Sequence, residues 1–212
     1  MKKQNRVAFF NILSTVLLKG ISIFTAPLFS RLLGTSGYGV TSIYSIMTGG
    51  IAIVFPLQTQ GTLVNARVEY TEEAQNRYQS SVMALSMLCF AALSVLLLVF
   101  RDPFCELLKM NYTLVWLMLL QAFGTFSVSF LSTKFIYEMK AGRNMAISLG
   151  VTLTTLVLSV ILVLSFPAEV NYYGRILAIS LTYGAIGIPA CVYILAKGRT
   201  FYNREYWTAP VQ

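Results

Sequence analysis

The first long apolar run, residues 7–33, constrains this chain more than any other part of its sequence. A helix needs about 20 apolar residues to span the hydrocarbon core of a bilayer, and the run from Val7 to Leu33 exceeds that length. Lys19 lies near its middle, where insertion scales put the cost of a charge at roughly 2.5–3.5 kcal/mol, so such residues usually face a bundle interior or a water-filled cavity. The run therefore predicts a membrane span with one solvated side.

A polar stripe along this run supports that placement. At about 100° per residue, several of its residues share one narrow arc of the helix. They are Asn11, Thr15, Lys19, Ser22, Ala26 and Ser30. We interpret this stripe as the wall of a solvated path suited to an anion, with Lys19 as the counter-charge for phosphate. The alternative is a structural lysine that is bonded to a carbonyl or to a polar neighbour.

Composition extends the membrane assignment to the whole chain of 212 residues. It is 56% hydrophobic and only 11% charged, whereas a soluble domain carries roughly 25% charged residues. Basic residues in cytoplasmic loops explain the net charge of +8 better than nucleic-acid binding does. Histidine is absent, and Cys89, Cys105 and Cys191 are far apart. The sequence therefore predicts no cofactor, no metal site and no disulfide framework.

The predicted fold is an all-α bundle of six transmembrane helices. The spans cover about residues 7–33, 40–63, 80–100, 114–137, 145–166 and 174–196. The glycine-rich segment from Gly34 to Gly39 is expected to turn the chain round, and Pro56 interrupts the second span. The polar stretch from Asn65 to Gln79 is expected to form a short interfacial helix or a loop.

Lysine and arginine in the loops predict the orientation. With both termini in the cytoplasm, eleven of these residues lie inside and four lie outside, with Lys19 set aside. The four are Arg31, Arg101, Lys109 and Arg175. Lys134 lies near the inner end of its span and is expected to snorkel to the surface. No carboxylate falls inside a span, so Lys19 is expected to be the one buried charge.

Other polar positions admit two interpretations each. Arg31 is either an interfacial anchor or an anion contact, and Gln58 either lines a cavity or begins a loop. Small polar residues recur at helical spacing on three spans, where close helix packing is favoured over a cavity wall. They are Gln121, Thr125, Ser129 and Ser132, then Ser148, Thr152, Thr155 and Ser159, and finally Ser180, Gly184, Gly187 and Cys191. No clustered carboxylates or metal-binding pair suggests an enzyme.

The segment Arg31-Leu32-Leu33-Gly34-Thr35-Ser36-Gly37-Tyr38-Gly39, which follows a first span containing Asn11, resembles the opening of a known family. This family is the polysaccharide-biosynthesis flippases of the Wzx type, which export O-antigen, teichoic-acid and capsule units. It belongs to the multidrug/oligosaccharidyl-lipid/polysaccharide exporter superfamily. The basic link with Lys140 and Arg143, and the tail Arg204-Glu205-Tyr206-Trp207, are similar to that family too.

The resemblance implies a flippase that moves an undecaprenyl-diphosphate-linked oligosaccharide across the bacterial cytoplasmic membrane. Two lobes would alternate access to a cationic cavity in which Lys19 and Arg31 meet the diphosphate. Chains of that family contain a second lobe of similar size, so this chain is expected to be the N-terminal lobe and to need a second lobe or a second copy. The alternative is a non-transporting membrane scaffold or an inactive lobe.

Overall fold

The computed structural model describes residues 3–64, 71–108 and 111–202, and these residues form helices without strands. The helices are α1 (Lys3–Val54), α2 (Glu72–Val99), α3 (Arg101–Leu108), α4 (Tyr112–Tyr137), α5 (Ala141–Ser165) and α6 (Asn171–Gly198), with a 3-10 turn at Thr59–Thr62. Five of the described helices are long and apolar enough to cross a membrane. The protein is an all-α membrane protein, as the sequence predicts.

Helix α1 is broken once, at Gly34, which has φ 66° and ψ 175°. Glycine alone adopts this backbone conformation at low cost, because it has no Cβ. The break divides α1 into a first arm, residues 3–33, and a second arm, residues 35–54. The prediction of a longer turn from Gly34 to Gly39 was wrong, because the helix resumes directly after Gly34.

The chain does turn round at this residue, because the two arms run in opposite directions beside α6. The contacts that establish this are a hydrogen bond from Asn171 to the Leu32 carbonyl, one between Tyr44 and Ser180, and a cavity that Leu18 and Tyr183 both line. The first arm is therefore antiparallel to α6, and the second arm is parallel to it. The number of spans across a bilayer stays a prediction.

The bundle has two ends, which we name by one residue each. The Gly34 end holds the α1 break, the junction between α2 and α3, and the link between α5 and α6; Asn111 donates a hydrogen bond to the Tyr173 hydroxyl there. The Lys134 end holds the start of α1 and of α2, the link between α4 and α5, and the end of α6.

Two predicted boundaries were wrong. Helix α2 begins at Glu72 rather than near Ser80, so residues 72–79 are its first turns and not a separate interfacial element. The second arm ends at Val54, and Leu57 and Gln58 then adopt positive φ angles beside the buried Pro56. Residues 65–70, Lys109 and the tail from residue 203 onward lie outside the described residues.

Helices α4 and α6 pack closely through glycines. A Cβ on Gly187 would lie less than 3.0 Å from the Gly124 Cα, and a Cβ on Gly124 would lie less than 3.0 Å from the Tyr183 carbonyl oxygen. Small residues allow helix backbones in membranes to approach this closely. The packing interpretation of Ser180, Gly184, Gly187 and Cys191 is confirmed, since all of them are buried.

Candidate functional site

The predicted polar stripe lies on an open face of the first arm. Thr15, Lys19 and Ser22 are exposed, and Asn11 is half-buried. The Thr15 hydroxyl donates a hydrogen bond to the Asn11 carbonyl within the helix. Ser22 alone among these residues lines the cavity described below. The structure therefore places the stripe beside that cavity, and a role for the stripe in substrate binding stays a prediction.

The other two candidate residues lie apart from the stripe. Arg31 is exposed near the α1 break, a few turns from Lys19 along the same arm. Gln58 is exposed beyond the end of α1, where the neighbouring Thr59 hydroxyl pairs with Ser86 of α2. The first arm instead borders α5 and α6. The structure thus separates Gln58 from the stripe without testing its role.

A cavity of about 350 Å³ lies between the first arm, α5 and α6. Its volume is at the lower limit of ligand pockets. Thr152, Thr155 and Ser159 of α5 form one wall. Sequence patterning favoured helix packing for these residues, and the structure supports the cavity-wall alternative. The Thr155 hydroxyl is buried and has no hydrogen-bond partner.

Arg175 is the charged residue of this cavity, and the sequence predicts it at the outer end of the sixth span. It lies inside α6, because that helix begins at Asn171. Its guanidinium carbon is 3.9 Å from the centroid of the Phe29 ring and 5.8 Å from that of Tyr38. Its Nη1 atom is buried and has no hydrogen-bond partner. A buried donor without a partner costs about 1–3 kcal/mol, and an acceptor bound in the cavity would remove that cost.

Lys134 is a second buried cation, and the prediction that it snorkels to the surface was wrong. Its side chain is 1% exposed. It donates hydrogen bonds to Asn76 at 3.0 Å and to Gln79, and it lies 3.6 Å from Glu138. The expectation that Lys19 is the one buried charge was therefore also wrong, because Lys19 is exposed in this structure and Lys134 is not.

Glu138 connects three lysines at the Lys134 end. Its carboxylate lies 2.6 Å from Lys140 and 3.8 Å from Lys197, in addition to Lys134. Burial raises the pKa of this carboxyl, but the hydrogen bond from Lys140 and the nearby ammonium groups of Lys134 and Lys197 outweigh burial and hold the pKa below its usual value. The i,i+4 spacing of Lys134 and Glu138 is the sequence signal that could have revealed this network.

The buried or partly buried cations of this structure differ in their ion pairing. Among the described residues, no group of three or more His, Cys, Asp and Glu side chains could hold a metal ion. The Lys134 network is internally paired, whereas Arg175 has no paired carboxylate among the described residues. The available charge therefore lies in the cavity and along the first arm.

A sequence-family model described as "Polysaccharide biosynthesis protein" matches residues 6–209. The chain belongs to the polysaccharide biosynthesis protein family. This confirms the resemblance to Wzx-type exporters, and the match covers every described helix from the first arm to α6. No curated protein and no solved structure matches the chain.

Membership of the polysaccharide biosynthesis family agrees with the architecture. The family is of the transporter type, and the five long apolar helices fit a multi-pass membrane protein. The first arm, the cavity and Arg175 all lie within the matched residues. The family assignment by itself names no passenger and no binding residue, so those are taken up as proposals.

Proposed function

We propose that this protein is a flippase, or the N-terminal lobe of one, that moves undecaprenyl-diphosphate-linked oligosaccharides across the bacterial cytoplasmic membrane. The passenger would serve the synthesis of a surface polysaccharide. In this proposal the protein breaks no bond of its passenger and acts by binding it and changing the side from which it is accessible.

The observation that carries the proposal is the position of Lys19. Its ammonium group is exposed at the middle of an apolar arm, on the same face as Thr15 and Ser22. A charge at this depth is costly unless it faces water or an anion. A diphosphate carried through the membrane is such an anion, and Arg31 offers a second cation along the same arm.

The proposal includes a second lobe and an orientation. The open face of the first arm would form one wall of the transport path, and a second six-span lobe or a second copy of this chain would form the other. Both termini would lie in the cytoplasm. The distribution of charge supports this, because Lys134, Lys140, Arg143 and Lys197 all lie at the Lys134 end, together with the start of α1.

The test is complementation in a bacterial cell whose surface glycan depends on this gene. Lys19→Ala should abolish or strongly reduce the glycan, and Lys19→Arg should retain most of it, because the positive charge is kept. Arg143→Ala is the matched control, since it removes an exposed cation at the Lys134 end of the bundle, away from the middle of the first arm. Membrane levels of each variant are measured by immunoblotting.

Unchanged surface glycan in the Lys19→Ala cell would contradict the flippase proposal. The competing scaffold function makes a different prediction. A scaffold would co-purify with a separate membrane protein and would give no lipid movement in reconstituted vesicles, and the Lys19 variants would then behave like the Arg143 control.

A further inference from the structure

Arg175 lies in a cavity beside the polar stripe, and Ser22 is the stripe residue that lines it. Lys19 is exposed and is not among the residues that line the cavity, whereas Arg175 lines it together with Phe29 and Ile179. None of the described lining residues is acidic. The cavity therefore holds a fixed positive charge that no neighbouring carboxylate neutralises.

The contact with Phe29 fixes the arginine without using its donors. The guanidinium carbon lies 3.9 Å from the Phe29 ring centroid, which is within the range of a cation–π contact. A cation–π contact takes up none of the guanidinium N–H donors in a hydrogen bond to an N or O acceptor. A guanidinium carries these donors as a planar fork, which matches the oxygens of a phosphate.

Hydroxyl groups on α5 add further polar atoms beside this charge. Thr155 and Ser159 line the cavity with Arg175, and the Thr155 hydroxyl has no hydrogen-bond partner. The remaining walls are mainly apolar, and Leu18, Ile21 and Leu156 contribute to them. One cation, nearby hydroxyls and apolar walls suit an anionic head that is attached to a hydrocarbon chain better than a freely hydrated anion.

We infer that the cavity between the first arm, α5 and α6 is a binding site for a phosphate group that is borne on an apolar chain, with Arg175 as its principal contact. The site lies toward the Gly34 end of the bundle, since Arg175 is in the second turn of α6. Identifying the bearer as the transported lipid rests on the proposed function, and the phosphate site itself does not.

The experiment uses the full chain, purified in a neutral detergent, and labelled dihexanoyl phosphatidic acid as the probe. Equilibrium binding is measured for the wild type and for Arg175→Gln. The variant should bind at least about tenfold more weakly, because it loses the charge-assisted hydrogen bonds to the phosphate. Thr155→Leu fills the cavity while keeping Arg175, and it should also weaken binding. It guards against a fold defect specific to the arginine variant.

Arg101→Gln is the matched control. Arg101 is also at the Gly34 end and also lies over an aromatic ring, at 5.0 Å from the Tyr112 centroid, but it is exposed and pairs with Asp102. Its loss should leave binding within about twofold, since exposed ion pairs contribute little. If Arg175→Gln binds the probe as the wild type does, or if the wild type does not bind it, the site is refuted.

Two further experiments are needed. One distinguishes a lipid-borne phosphate from free phosphate, and the other distinguishes failure of this site from failure of the proposed function. Dihexanoylglycerol, which lacks the phosphate, should not compete, and inorganic phosphate should compete only weakly. Equal competition by inorganic phosphate would overturn the lipid-borne assignment. A cell that loses its glycan with Lys19→Ala while Arg175→Gln binds normally would refute this site alone, and the reverse result would refute the flippase proposal alone.

Discussion

Helices α4 and α6 pack closely against each other, whereas the first arm packs loosely against its neighbours. In the most apolar 18-residue window of α4, 67% of the residues are buried, against 6% in that of α1. Backbones meet directly at Gly124 and Gly187. Beside the first arm, by contrast, there is a cavity with hydroxyl groups and an arginine.

This difference indicates which parts hold the fold and which are free to bind. In a membrane, helix association depends on van der Waals packing and on hydrogen bonds between helices, because lipid is as apolar as the side chains. The α4–α6 contact uses both, since Ser180 of α6 also donates a hydrogen bond to the side-chain oxygen of Gln121 of α4. The first arm has few such contacts, so its polar residues contribute little to stability and are available to a ligand.

Replacing Gly187 with valine should have the largest effect on stability. The new Cβ would collide with the Gly124 backbone, which cannot move aside as a side chain would, so the expected loss exceeds about 3 kcal/mol. The measurement is the yield and the thermal unfolding midpoint in detergent. Gly150→Ala is the control, because open space surrounds Gly150. A Gly187→Val protein that is as stable as the control would contradict the claim that the α4–α6 contact holds the fold.

Removing the buried ammonium group of Lys134 should have the next largest effect. Lys134→Met removes the ammonium group that donates hydrogen bonds to Asn76 and Gln79, and breaking such a buried network costs about 3 kcal/mol. Lys140→Met removes the more exposed partner of Glu138 and should cost less than about 1 kcal/mol. Thermal unfolding of the two variants side by side is the measurement. Equal losses would mean that burial does not determine how much each lysine contributes to the free energy of unfolding.

Gly34→Ala tests the break between the arms. Alanine at φ 66° and ψ 175° is strained, and the expected cost is about 2 kcal/mol. Gly39→Ala is the control, since Gly39 has no positive φ and open space around it. The unfolding midpoints of the two variants decide the matter. If Gly34→Ala matches Gly39→Ala, the break does not depend on a left-handed residue.

Acid should destabilise the Lys134 end in particular. The pKa of Glu138 in the folded protein is lowered from about 4.5. Its ion pairs therefore stabilise the fold above that pH, and the stabilisation is lost as the pH falls through the lowered pKa. The unfolding midpoint of the wild type should drop on acidification, and Glu138→Gln should flatten this pH dependence. A variant with the same pH profile as the wild type would exclude Glu138 as the titrating group.

The smallest effect on stability is expected for Lys19→Gln. Lys19 is exposed, so the change in the free energy of unfolding should stay within about 0.5 kcal/mol. Thermal unfolding of the purified Lys19→Gln variant, beside the wild type, is the measurement. A large loss of stability would show that Lys19 helps to hold the fold. The first arm would then differ less from the α4–α6 contact in its role.

Much of the fold follows from local sequence features. Long apolar runs predict the long helices, and the glycine-rich segment from Gly34 to Gly39 predicts the reversal, because both depend on residues that are near in sequence. The start of α2 was missed because residues 72–79 are polar; Gln79 and Ser80 are nevertheless buried against α4 and α6. Hydropathy cannot reveal a polar turn that is buried by distant helices.

The candidate site was predictable only in part. The stripe around Lys19 follows from helical periodicity within one segment, and the structure leaves its role untested. Arg175 was missed because its environment comes from Phe29 and Thr155, which are far from it in sequence. Lys134 was misjudged for a similar reason, since Asn76 and Gln79 come from another helix. Periodicity gives the face of a helix and not the partner that the face meets.

The single-residue joint at Gly34 restricts how the two arms of α1 can move. A connecting loop would give many rotatable backbone bonds, whereas one residue supplies only its φ and ψ torsions. Asn171 also ties the carbonyl of Leu32, two residues before the joint, to the first turn of α6. Swinging the first arm away from α5 must therefore be a lever-like rotation about this joint, with its greatest displacement near Lys3.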